Sequence, residues 1–294
     1  MTAALRTEAA LAFDCGGETL VGILHRPLRP RRRGVVIVVG GGPQYRAGGH
    51  RQLTLWSRAL CEAGFPVLRF DYRGMGDAHG AFRGFTDADD DIRAAVDQLK
   101  AQVPEVDEVV LWGECDASSA ILMYAYRDAR VKGAVLLNPW VRTEAGQAKA
   151  ILRFYYLQRV LQPSFWKKLA SGRFNPVASA RSLLALLRQS RSARPAAAGS
   201  AGDLKAPIPR ELPLTEGLLL GLQRFQGHLL LVLSGRDLIA KEFDQLLKDS
   251  PAWQQALAAK PVQRQDMADG DHTFSSAEQR GQVLGWGRAW LESW

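Results

Sequence analysis

Six short apolar, β-branched runs recur along the chain: TLVGILH, GVVIVVG, PVLRFDY, EVVLWG, KGAVLLN and HLLLVLSG. Bounded by Gly, Pro or charged residues, they read as buried strands. Between them, RQLTLWSRALCEAG and DADDDIRAAVDQLKAQ repeat their apolar positions at helical spacing. The first closes on Gly64, and the second opens on acids that suit the positive end of a helix. Strands alternating with helices predict a mostly parallel sheet covered by helices on both faces, an α/β fold. The two earliest strands have no helix between them, which predicts an antiparallel hairpin at the sheet edge.

The alternation stops after LLNPWVR and resumes at GHLLLVLSGRD. This predicts a core of residues 1–142 and 227–294 interrupted by a cap insertion, 143–226. The first half of the insertion, AILRFYYLQRVLQPSFWKKLASGRF, is aromatic and basic with roughly helical spacing. Its second half is rich in Pro, Ala, Ser and Gly and reads as a flexible linker over about residues 188–213.

The stretch VVLWGECDASSAIL runs a buried strand straight into a helix through a tight turn. Only small residues fit two positions before and after the apex of such a nucleophile elbow, and Gly113 and Ala117 meet that demand around Cys115. The helix that follows aims its free N–H groups and positive dipole end at the sulfur, a setting suited to an anionic nucleophile. Taken alone, a Cys after a strand is an ordinary small core residue. The turn and its partners give it chemistry. His272, in DGDHTF, is the candidate base, and Asp237, just past the strand that ends LVLSGRD, the candidate orienting acid. Asp271 and Asp269 are nearer in sequence, but a residue adjacent to a base points away from it. Nucleophile, acid, then His is the chain order of the α/β-hydrolase triad.

Acyl transfer also needs donors for a developing oxyanion. The backbone N–H of Asp116 is one candidate. The other comes from GGGPQYRAGGH, where Pro43 lacks an N–H and leaves Gly42 or Gln44. That loop has neither the Lys-Ser/Thr ending of a P-loop nor G-x-G-x-x-G spacing, so no phosphate-binding role follows. Tyr45, Glu114, Tyr155, Tyr156 and Trp166 are candidate substrate contacts, and the aromatic and basic side chains among the cap residues would suit a substrate with an apolar portion and an anionic group. Asp71, in FDYRGMGD, reads as a turn-bracing residue. The acids of DADDD lack the offset spacing that converges on a cation. No metal or cofactor is expected.

Composition narrows the class. At 294 residues, 47% hydrophobic and 23% charged, the chain has the make-up of a globular enzyme. No run approaches the roughly 18 apolar residues of a membrane span, and the N-terminus has no signal-peptide pattern, so a cytoplasmic protein without membrane insertion is expected. Cys15, Cys61 and Cys115 are an odd number at unrelated spacings, as for reduced thiols. Part of the net charge of +8 sits in RPLRPRRR, which reads as a solvated loop, with no nucleic-acid partner implied. The expected ligand is a small acyl compound; no protein partner is indicated.

Taken together, GGPQYRAGGHRQ, FPVLRFDYRGMGD, LWGECDASSA, LLNPWVR, YYLQR and FWKKLASGRF resemble the exosortase A system-associated hydrolases of the first type, across about residues 8 to 294. That resemblance implies an α/β-hydrolase fold and a setting beside exopolysaccharide and exosortase systems of Gram-negative bacteria. It implies Cys115, Asp237 and His272 as triad, with Asp116 and Gly42 or Gln44 as oxyanion donors. The chemistry expected is cleavage of an ester, thioester or lactone. An acyltransferase on the same triad and a non-catalytic scaffold binding a glycan precursor or partner protein are the alternatives.

Overall fold

The computed structural model describes residues 6–42, 44–141 and 205–294. Their strands are β1 (Arg6–Cys15), β2 (Glu18–Pro27), β3 (Arg33–Val38), β4 (Val67–Asp71), β5 (Glu108–Glu114), β6 (Val131–Leu137), β7 (His228–Ser234) and β8 (Val262–Met267). They form one sheet in the order β1-β2-β4-β3-β5-β6-β7-β8. From β4 to β8 every pairing is parallel, and only β1 and β2 run antiparallel to their neighbours. This is the α/β-hydrolase arrangement.

The edge hairpin differs from the sequence expectation. β2 does not pair with β3; it lies between β1 and β4. Its hairpin partner is β1, joined through Gly16 and Gly17 with Cys15 opposite Glu18. Both glycines have positive φ, 63° and 86°, as a two-residue hairpin turn with the strands' right-handed twist requires. The apolar run in RTEAALAFDC of β1 is AALAF, mostly alanine, a residue depleted in strands, and so does not mark it as a strand.

The described helices are α1 (Gln52–Glu62), α2 (Asp89–Gln102), α3 (Asp116–Tyr124), α4 (Leu214–Arg224), α5 (Leu238–Asp249), α6 (Pro251–Ala258) and α7 (Ala277–Glu292). α1 packs with α7, while α2 and α4 both pack with α3, giving two helical groups beside the sheet. Buried aromatic residues fill the interior: Trp56 of α1 meets Trp112 of β5 at 5.6 Å between rings. Gly287 of α7 leaves room for Trp112, whose ring lies 2.2 Å from where a Cβ would stand. α4 falls inside the expected insertion, yet it packs on α3 closely enough that a Cβ on Gly221 would strike the Leu122 carbonyl.

Four of the five arginines in the basic run pair with acids of the chain. Arg26 pairs with Glu105 at 3.1 Å, Arg31 with Glu292 at 3.2 Å, Arg33 with Glu108 at 2.7 Å, and Arg32 with Asp107. Three of the four acids of DADDD are likewise matched by arginines: Asp87 with Arg210, Asp89 with Arg127, Asp91 with Arg73. None of the three cysteines is in a disulfide. Among the described residues, no helix is long and apolar enough to cross a membrane, and no group of His, Cys, Asp and Glu side chains could hold a metal ion.

Candidate active site

The site begins where β5 turns into α3. Cys115 stands between them with φ 59° and ψ −125°, a backbone conformation that side-chain-bearing residues rarely adopt and that the surroundings must enforce. They do so through close packing. A Cβ on Gly113 would come within 2.7 Å of Ile121, 2.8 Å of the Ala117 carbonyl carbon and 2.9 Å of Ser118 N, so only glycine fits. Ser118 Oγ donates to the Gly113 carbonyl at 2.8 Å and accepts from Leu137 N at 3.0 Å, tying α3 to β5 and β6. The Cys115 N–H donates to the Leu137 carbonyl at 2.9 Å, which fixes the apex.

His272 arrives in the loop between β8 and α7. Its Nδ1 lies 2.8 Å from Asp237 Oδ2. Asp237 is buried at the start of α5, and its two oxygens accept from the N–H groups of Ile239 and Ala240, both at 3.1 Å. A carboxylate at a helix N-terminus is held both by those bonds and by the helix dipole. The neighbouring Asp271 does not orient the ring: its carboxylate accepts from the N–H groups of Thr273 and Ser275 and closes its own turn. Burial opposes charge on His272, but the hydrogen bond to Asp237 and the nearness of the Cys115 thiol outweigh it and push the imidazole up to about 10. The structure therefore joins His272 to Asp237 by a hydrogen bond and sets Cys115 and His272 on the walls of one cleft.

Asn138 anchors the His272 loop, and sequence reasoning missed it. Fully buried at the end of β6 with φ 46°, it donates from Nδ2 to the His272 carbonyl and to Ser234 Oγ, both at 2.9 Å, and accepts from Ser234 N at 2.9 Å. It links the end of β6 to the end of β7, which leads to the acid, and to the loop that carries the base. Its only sequence signal is a lone Asn before Pro at a strand end.

The Gly-rich loop after β3 reaches the elbow. A Cβ on Gly40 would lie 2.4 Å from the Glu114 carbonyl. Gly41 and Gly42, with φ 89° and 73°, turn toward the start of α3, where Gly41 N donates to Asp116 Oδ1 at 2.6 Å. Burial pushes the Asp116 carboxyl up, while backbone N–H groups of Gly41, Gly42 and Ala117 pull the other way. A nest of N–H groups that could receive an oxyanion thus holds a carboxylate of the chain itself. Gln44 lines the adjoining cleft and folds its amide over Gly41.

That cleft opens to solvent, with Cys115, His272, Gln52 and Glu114 among its walls. Glu114 receives a hydrogen bond from Gln52, and burial pushes its carboxyl up to about 8. Gln52 was not singled out from the sequence, since an amide at the start of a helix carries no pattern. Tyr45 is exposed and donor to none of these groups; its ring stacks on Arg46 at 4.3 Å. Asp71 is fully buried, accepts from Arg46 N at 2.6 Å and Asp77 N at 3.1 Å, and braces the loop after β4. Tyr155, Tyr156 and Trp166 lie outside the described residues.

Comparison with known proteins gives the setting. No curated protein matches the chain. Among solved structures, an esterase of Pyrococcus furiosus superposes with a TM-score of 0.65 at 15% identity, over 98% of this chain and 92% of that one. A putative hydrolase of Agrobacterium vitis has a TM-score of 0.56 at 17% identity, covering 98% and 99%. The esterase domain of a Rhodothermus marinus protein has 0.56 at 20%, covering 97% and 98%. At such identities the likeness speaks for the fold alone. The Hydrolase_4 family model, described as serine aminopeptidase S33, matches residues 30–193, more than half of the chain and including the elbow. With that match and its α/β-hydrolase sheet, the chain belongs to the serine aminopeptidase S33 (Hydrolase_4) family, carrying cysteine at the elbow apex.

Proposed function

We propose that the protein is an acyl hydrolase in which Cys115 is the nucleophile, His272 the proton carrier and Asp237 the orienting acid. The observation that carries this reading is a pair at the cleft: Asp237 holds His272 Nδ1 at 2.8 Å, and His272 and Cys115 line the same cleft. The sulfur attacks as its anion, beside a protonated imidazole. A C–S bond forms at the carbonyl of an ester, thioester or lactone, and His272 gives its proton to the leaving oxygen or sulfur as that bond breaks. Water then attacks the acyl-sulfur intermediate; His272 takes a proton from the water, and the C–S bond breaks to return the sulfur anion. An alcohol or thiol in place of water would make the same chain an acyltransferase. The motif likeness to exosortase A system-associated hydrolases supports a cytoplasmic role beside exopolysaccharide systems, with the region around residues 143–226 as a cap over the core.

One observation favours a second reading, a binding scaffold without turnover: the Asp116 carboxylate takes up the Gly41 N–H, a donor in the loop from which an oxyanion contact would come. Intact-mass measurement after incubation with p-nitrophenyl acetate separates the two. The acyl hydrolase predicts a transient single acetyl adduct, released by hydroxylamine and lost in Cys115→Ala. No adduct, or one that persists in Cys115→Ala, supports the scaffold.

A further inference from the structure

Gln52 and Glu114 face the cleft beside Cys115 yet have no part in the proton transfers above. Gln52 is the first residue of α1 and only 2% exposed. Its Nε2 is bound to Glu114, which ends β5 one residue before the elbow apex. Its Oε1 is buried with no hydrogen-bond partner among the described residues. Rotating the amide would only exchange the unpartnered oxygen for an unpartnered NH2. A buried acceptor left unmatched costs about 1–3 kcal/mol, which a fold does not carry in a cleft wall without return.

The chain leading into Gln52 is also strained. His50 and Arg51, neither of them glycine, both take left-handed conformations, φ 54° and 60°, immediately before it. Gly48 and Gly49 precede them and line the same cleft. Such consecutive strain places one side chain at one point, and here that side chain is the Gln52 amide.

Resting on the acyl-hydrolase reading, we propose that Gln52 and Glu114 form a specificity subsite for a hydroxyl of the substrate, lying close to the reacting carbonyl. A hydroxyl is the small neutral group that both donates and accepts through a single atom. It would give its hydrogen to Gln52 Oε1 and accept from the Glu114 carboxyl. Burial keeps that carboxyl largely protonated at neutral pH, so it can donate and does not call for a cationic ligand. The substrates selected are hydroxyacyl compounds or acylated polyols, in preference to plain fatty acyl groups.

Binding to the Cys115→Ala protein tests this without requiring turnover. Butyramide and its 2-, 3- and 4-hydroxy derivatives are titrated by NMR. At least one hydroxy isomer is expected to bind about tenfold more tightly than butyramide, with that preference falling to about twofold or less in Cys115→Ala carrying Gln52→Met. Glu114→Gln in the same background, which keeps the side-chain shape, should weaken the preference too and serves if the Met variant does not fold. All four ligands binding within twofold, or a preference that survives both substitutions, overturns the subsite. Turnover of matched p-nitrophenyl esters by the wild-type protein reports separately on the acyl-hydrolase reading: no turnover alongside an intact binding preference removes that reading and leaves the subsite standing.

Discussion

Gly41 donates its backbone N–H to the Asp116 carboxylate at 2.6 Å, so the loop after β3 and the first residue of α3 are joined where, on the acyl-hydrolase reading proposed above, a carbonyl oxygen would gain charge. In hydrolytic elbows this position rewards N–H groups that stay free for the transition state. A resident carboxylate competes for the same donors and repels a developing anion.

Asp116→Ala is therefore expected to accelerate acylation by small activated esters about tenfold, an effect well inside the range that single oxyanion contacts command. Stopped-flow release of p-nitrophenol measures it. A fall in rate, with the melting temperature unchanged, would mean that the carboxyl takes part in the chemistry.

His272 couples the site to pH. Its folded-state value, about 10, lies above its ordinary value of 6.5, so the protonated ring is the form the fold favours. The stabilisation is complete below about pH 6.5 and is lost as pH rises through about 10. Urea midpoints of the wild type should fall across that window. In His272→Ala the fall should be shallower, and equal slopes in the two proteins would refute the coupling.

Removing the Asn138 amide leaves Ser234 N–H and the His272 carbonyl without their partner in a buried setting. Asn138→Ala is expected to cost about 2–4 kcal/mol in urea unfolding, from lost bonds and from alanine at a left-handed position. Turnover should fall further than the folded fraction explains, because the loop carrying His272 loses its anchor.

Two glycines should respond in opposite directions. Gly113→Ala drives a methyl into Ile121 and the backbone of α3 and is expected to destabilise by about 2–4 kcal/mol. Gly281 lies on an open face of α7 with nothing within 4 Å of a new Cβ. There alanine should stabilise by about 0.5–1 kcal/mol, since it lowers the entropy of the unfolded chain and favours the helix. Thermal melts of the two variants side by side give the comparison.

By itself the sequence determined the parallel part of the sheet and the elbow, because strands buried on both faces need continuous apolar runs and the tight turn at Cys115 admits only small neighbours such as Gly113 and Ala117. It also set out Cys115, Asp237 and His272 in an order that the fold brings together. It did not reveal β1, whose apolar run is mostly alanine, a residue depleted in strands, nor that β2 turns away from β3. Only the tertiary structure decided that Asn138 ties the ends of β6 and β7 to the His272 loop, that the Asp116 side chain enters the Gly-loop nest, and that Gln52 meets Glu114. Those relations depend on backbone direction and on contacts between residues distant in the chain, for which local periodicity and propensity carry no signal.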